Sequence, residues 1–168
     1  MNIIIREIND DCNEISSAKT FLYDQIKEVY GIGPTPEFHY DIEGLKDYYV
    51  LPERNNFFVA LDGDNIVATA AIRAYDKNYE FLKGECTDED TSSIWRLMVD
   101  KNYRRNGIAR ALVDIMEKFA KNEGYKYMYL HSHRYLKAAI PFWKSLGYHV
   151  ILEEDDYDET SHMIKNLI

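Results

Sequence analysis

An apolar run, Ile94-Trp95-Arg96-Leu97-Met98-Val99, ends in the basic turn Asp100-Lys101-Asn102-Tyr103-Arg104-Arg105-Asn106-Gly107 and resumes at Ile108-Ala109-Arg110. The stretch reads as a strand, a phosphate-holding turn and a helix. Beyond Gly107 the apolar positions Ile108, Leu112, Ile115 and Phe119 recur at spacings of three and four, and Ala111, Met116 and Ala120 widen the same face until Gly124 stops the helix. With the strand expected over Tyr125 to Ser132, this strand and helix make a right-handed βαβ unit, which implies that the two strands run parallel.

The turn also has a chemical use. The first N–H groups of a helix have no intrahelical acceptor and carry the positive end of the helix dipole, so they attract phosphate. Arg104, Arg105 and Arg110 add full charge there, and Gly107, without a Cβ, lets an anion approach the main chain. The same residues also suit a tight turn with solvated arginines, and the turn alone does not decide between the two.

Arg104-x-x-Gly107-x-Ala109 resembles the Arg/Gln-x-x-Gly-x-Gly/Ala signature of the GNAT superfamily of acetyl-CoA-dependent N-acetyltransferases, with Leu97-x-Val99 at the offset where that family's central strand ends. Downstream, Ala139-Ile140-Pro141-Phe142-Trp143-Lys144-Ser145-Leu146-Gly147-Tyr148 is similar to the family's second motif, a helix and turn of the Ala-x-x-Phe-Tyr-x-x-x-Gly-Phe type. The resemblance is carried from about Ser92 to Leu152, extends back to Phe57, and thins before it.

The resemblance implies a mixed, largely antiparallel twisted sheet of six to seven strands, with one parallel βαβ step and splayed central strands. It also implies acetyl-CoA as acetyl donor, its pantetheine arm paired with main-chain groups of Leu97 and Val99 like an added strand. The N–H groups of Arg105, Asn106, Gly107, Ile108, Ala109 and Arg110 would hold the phosphates, the Arg104 side chain would support them, and a main-chain N–H of Met98 or Val99 would face the oxyanion.

Two positions depart from the family pattern. The tyrosine that commonly protonates the departing thiolate falls on Trp143, whose indole is far too weak an acid, so Trp143 is expected to line the thioester end as a packing wall. The glutamate that serves some members as base falls on Ser93. Base candidates are therefore His131 and His133, on one face of a regular strand, and Glu85 in the preceding loop.

At 168 residues and 46% hydrophobic composition the chain is long enough for one well-buried core, and a single domain over 1–168 is expected. No window approaches a membrane span and the start lacks a signal peptide's features, which points to a cytoplasmic protein with no membrane partner. Cys12 and Cys86 stand far apart in no metal-ligand spacing, so no metal is expected. A net charge of −9 argues against general nucleic-acid binding and suits either a cationic substrate or plain solubility.

In chain order, Ile3-Ile4-Ile5 reads as a strand, Asn9-Asp10-Asp11 as a capping turn, and Ile15, Ala18, Leu22, Ile26 and Val29 as a helix closed by Gly31. An irregular segment to Pro36 precedes a shorter helix over about Asp41 to Tyr49, with Phe38, Tyr40, Tyr48 and Tyr49 open to substrate contact or to helix-on-sheet packing. Phe57 to Leu61 and Ile66 to Ile72 flank a hairpin turn, and Tyr75 to Ser93 forms a polar loop with a short strand near Tyr79 to Leu82. Tyr125 to Ser132 is a strand, Lys137 to Leu146 a helix, and Tyr148 to Leu152 and Ser161 to Ile168 are closing strands.

The function expected is transfer of an acetyl group to a primary amine, small-molecule or peptide, by direct transfer. A CoA-binding sensor without turnover stands as the alternative, and a homodimer is left open.

Overall fold

Local chemistry sets the first elements. Strand β1 (Ile3–Glu7) leads to helix α1 (Cys12–Tyr30), where the Asp11 carboxylate accepts from the N–H groups of Asn13 and Glu14 and Gly31 closes the far end at φ 69°. The computed structural model describes residues 2–168. Helix α2 (Pro36–Glu43) starts earlier than the expected Asp41, because Pro36 sits in the first turn, where a missing N–H costs nothing. The remainder of the expected helix is a separate π turn over Lys46–Val50 beyond Gly44.

Strands β2 (Asn56–Asp62) and β3 (Asn65–Ala74) form the expected hairpin, followed by β4 (Thr91–Val99), helix α3 (Ile108–Asn122), β5 (Tyr127–His133), helix α4 (Ala139–Ser145), β6 (His149–Glu153) and β7 (Thr160–Asn166). The seven strands make one sheet in the order β1-β2-β3-β4-β5-β7-β6. The pairs β1–β2, β2–β3, β5–β7 and β6–β7 are antiparallel, and β4–β5 is parallel, Thr91–Ser93 facing Tyr127–Tyr129.

Two expectations change. The stretch Tyr79 to Leu82 holds a single 3-10 turn, Glu80–Leu82, and no strand; the Leu82 N–H donates to the Tyr79 carbonyl at 3.0 Å and the Lys83 N–H to the Glu80 carbonyl at 3.2 Å, three-residue bonds that an extended backbone cannot close. On α3, Ala111 is exposed and Val113 is fully buried with Leu112, Met116 and Ala120, so the apolar face is rotated from the one the spacing suggested.

The described residues fall into two compact units. One runs up to Arg73 and resumes over Trp95–Met116; its core packs Leu22 and Ile26 of α1 and Ile42 of α2 against Phe57 and Val59 of β2, with Trp95 and Met98 joining from β4. Each fully buried side chain of that size contributes about 1.5–3 kcal/mol. The other comprises Ala74–Ile94 and Glu117–Ile168, with a smaller core of Tyr75, Leu82, Cys86 and Tyr129. Among the described residues no helix is long and apolar enough to cross a membrane, and no cluster of metal-ligating side chains occurs.

Candidate functional site

The glycine turn is built by its own short-range bonds. Asp100 caps a 3-10 turn over Lys101–Tyr103 by accepting from the Asn102 N–H at 2.8 Å, and the Tyr103 hydroxyl donates to Asp62 at 3.0 Å. The Asn106 amide then donates to the carbonyls of Tyr103 and Arg104, while Arg105 and Gly107 both take positive φ, 67° and 78°. The first bond within α3 runs from Ala111 N–H to the Gly107 carbonyl at 3.0 Å, so the amides of Gly107, Ile108 and Ala109 have no i−4 acceptor. Arg104, Arg105, Asn106, Gly107 and Arg110 are exposed, Ala109 is half-buried and only Ile108 turns into the core. A Cβ at Gly107 would meet nothing within 4 Å. The turn is therefore an open, cationic helix N-terminus with room for an anion.

Leu97, Met98 and Val99 are half-buried, and the Val99 carbonyl accepts from Arg104 Nε at 3.0 Å, which ties the strand end to the turn. One residue earlier the strand departs from extended geometry, with Arg96 at φ 51°. Trp95 and Met98 both pack on the same core, three residues apart where regular alternation would require two.

The Arg96 side chain crosses to α2, where Nε and Nη2 bind the two carboxylate oxygens of Asp41 at 2.9 and 2.5 Å and Nη2 also donates to the Phe38 carbonyl. Asp41 is fully buried and accepts in addition from Tyr49 at 2.6 Å. Burial alone would raise its carboxyl, but the hydrogen bonds and charge of Arg96, with Tyr49 and Arg73, hold it below the ordinary 3.8. Arg73, itself buried, stacks 3.7 Å over the Trp95 ring and donates to the Tyr40 hydroxyl at 2.9 Å. Of the four aromatic residues open to substrate contact, Phe38 and Tyr40 are exposed, Tyr48 is half-buried, and Tyr49 lies in the core. Sequence reasoning missed the Asp41–Arg96 pair; the signal was an arginine inside an apolar strand.

In the other unit, His131 and His133 do share a face of β5, their rings 6.1 Å apart. His133 Nδ1 lies 2.9 Å from the Asp158 carbonyl, and its ring stacks on Tyr135. A third histidine was not foreseen: His162, fully buried, links Tyr129 OH at 2.6 Å to the Glu154 carboxylate at 3.0 Å. Trp143 is 6% exposed and packs edge-on against Phe142 and Tyr148. Ser93 Oγ is buried without a partner, and Glu85 is exposed. Part of the acidic charge is structural: Asp90 accepts from Thr87 and Thr91, and Asp156 from Thr160. Replacing Trp143 with Phe keeps most of kcat if the residue only packs; a loss of about a thousandfold with intact donor binding would show that its N–H takes part.

The sequence profile of the Acetyltransferase (GNAT) family matches residues 18–148. The chain is 29% identical over 119 residues to the N-acetylaspartate synthetase of Rattus norvegicus, a match that takes in 71% of this chain and 36% of the relative. The chain thus spans about a third of the length of the curated relatives it matches first. Among solved structures, the GNAT-family acetyltransferase of Staphylococcus aureus Mu50 superposes with a TM-score of 0.79 at 22% identity, covering 99% of this chain and 100% of that one. The PaiA N-acetyltransferase of Thermoplasma acidophilum, solved with coenzyme A, gives a TM-score of 0.74 at 18% identity, covering 99% of each chain.

Proposed function

Because the chain belongs to the GNAT family of acetyltransferases, we propose that it moves an acetyl group from acetyl-CoA to a primary amine by direct transfer. The observation that carries this reading is the Gly107 turn: an open helix N-terminus with positive φ at Arg105 and Gly107, flanked by exposed Arg104, Arg105 and Arg110. A pyrophosphate at that point gains main-chain N–H donors and full positive charge together. The neighbouring strand end, Leu97 to Val99, offers main-chain groups to the pantetheine amides.

In the reaction the neutral amine attacks the thioester carbonyl, a C–N bond forms, and the oxyanion of the tetrahedral intermediate is met by the Met98 or Val99 N–H. The C–S bond then breaks to release CoA thiolate, a leaving group of low basicity that takes a proton from water or from the product ammonium. No phenol is required, which suits the tryptophan at 143. His131 and His133 are the side chains to which we assign deprotonation of the ammonium form of the acceptor. The sensor reading draws on Trp143 and Ser93, neither of which transfers protons near neutral pH.

Free thiol released from acetyl-CoA across a panel of small amines, amino acids and peptides separates the two. Turnover with any amine supports the enzyme; tight CoA binding with none supports the sensor. Repeating the panel at low and high salt tests the acidic surface: if it steers a cationic acceptor, kcat/KM falls as salt rises. A salt-independent rate would remove that role and leave acetyl transfer standing.

A further inference from the structure

A left-handed backbone is costly for any residue but glycine, and inside a strand it persists only where the surroundings hold it. At Arg96, φ 51°, the hold is threefold. The Thr69 hydroxyl on β3 donates to the Arg96 carbonyl at 2.9 Å, the Asp41 carboxylate takes the guanidinium through two hydrogen bonds, and the Phe38 carbonyl accepts from Nη2 at 2.6 Å. Asp41 is in turn fixed by the Tyr49 hydroxyl. The kink brings Met98 back onto the core face that Trp95 already occupies. It therefore decides which way the amides of Leu97, Met98 and Val99 point.

We propose that Asp41 is a positioning residue for acetyl transfer: by gripping Arg96 it keeps β4 kinked and so aims the amides after the kink at the thioester oxygen. Asp41 itself touches neither donor nor acceptor; it acts through Arg96. The same helix, α2, exposes Phe38 and Tyr40 within one turn of Asp41, so a rigid link joins an exposed aromatic rim to the strand that serves the donor. The inference rests on the acetyltransferase reading and adds to it a reason for a buried ion pair where an apolar contact would pack as well.

The test uses the full chain with the best amine of the panel, comparing wild type, Asp41→Asn, Thr69→Val and Thr69→Ser, each verified as folded by circular dichroism. Loss of aim at one oxyanion donor lowers kcat by about a hundredfold or more. Asp41→Asn is expected to lose about that much, and Thr69→Val about tenfold, since the guanidinium hold remains. Acetyl-CoA affinity by calorimetry and acceptor KM stay within about threefold, because the Gly107 turn and α2 surface are untouched. Thr69→Ser, which keeps the hydroxyl, recovers most of the Thr69→Val loss; a merely structural threonine would not show that recovery in kcat alone. Should Asp41→Asn fail to fold, the Thr69 pair decides. Folded variants with kcat within twofold of wild type, or a raised acceptor KM at unchanged kcat, overturn the proposal alone. A wild type that releases no thiol with any amine overturns the acetyltransferase reading and the proposal with it.

Discussion

Gly107→Glu is expected to weaken acetyl-CoA binding by more than a hundredfold, whereas Gly107→Ala weakens it less than tenfold. Both variants place an L side chain at φ 78°, a backbone cost of about 1–2 kcal/mol. Neither side chain collides with the protein, because nothing lies within 4 Å of the added Cβ. What separates them is charge. A carboxylate held about 4 Å from a phosphate oxygen at a protein surface repels it by about 4 kcal/mol, close to a thousandfold in affinity. The fold should survive, since an acidic group at a helix N-terminus is favourable to the helix itself. Calorimetric titration of the folded variants with acetyl-CoA reads the result directly; an unchanged affinity for Gly107→Glu would exclude the turn as the pyrophosphate site.

That turn was legible in the sequence because its requirements are local. A glycine where φ must be positive, arginines on both sides and a helical period starting immediately after it all lie within one short stretch. The hairpin from Asn56 to Ala74 and the cap at Asp11 were readable for the same reason. The kink at Arg96 was not, because its causes lie elsewhere in the chain: Asp41 is 55 positions away and Thr69 is 27. Periodicity also works against finding it, since a bulge shifts the alternation by which a strand is recognised. His162 escaped notice in the same way, its partner Tyr129 being 33 residues distant. The start of α2 was hidden by Pro36, which read as a loop marker although proline is equally at home in a first helical turn.

The second large effect concerns stability. Asp41→Ala is expected to cost about 3–5 kcal/mol, because it leaves the Arg96 guanidinium enclosed without its carboxylate and strands the Tyr49 hydroxyl. For a chain of this size that is a fall in Tm on the order of 10 °C. Removing both halves in Asp41→Ala/Arg96→Gly should recover part of the loss, since glycine takes positive φ freely and the Arg96 guanidinium is no longer left enclosed without its carboxylate. The pH dependence has a defined sign. Desolvation would raise the Asp41 carboxyl, but Arg96 together with Tyr49 and Arg73 holds it below the ordinary 3.8 in the folded chain, so its contribution is complete above the unfolded value. The contribution fades as pH falls below about 4 and through the depressed folded value, where the carboxyl takes up a proton. Chemical denaturation of wild type and Asp41→Ala from pH 7 to pH 2 should therefore show the two curves converging at the acid end. A gap of constant size over that range would mean that Asp41 contributes by packing, and that its ionised pairing with Arg96 does not hold the kink.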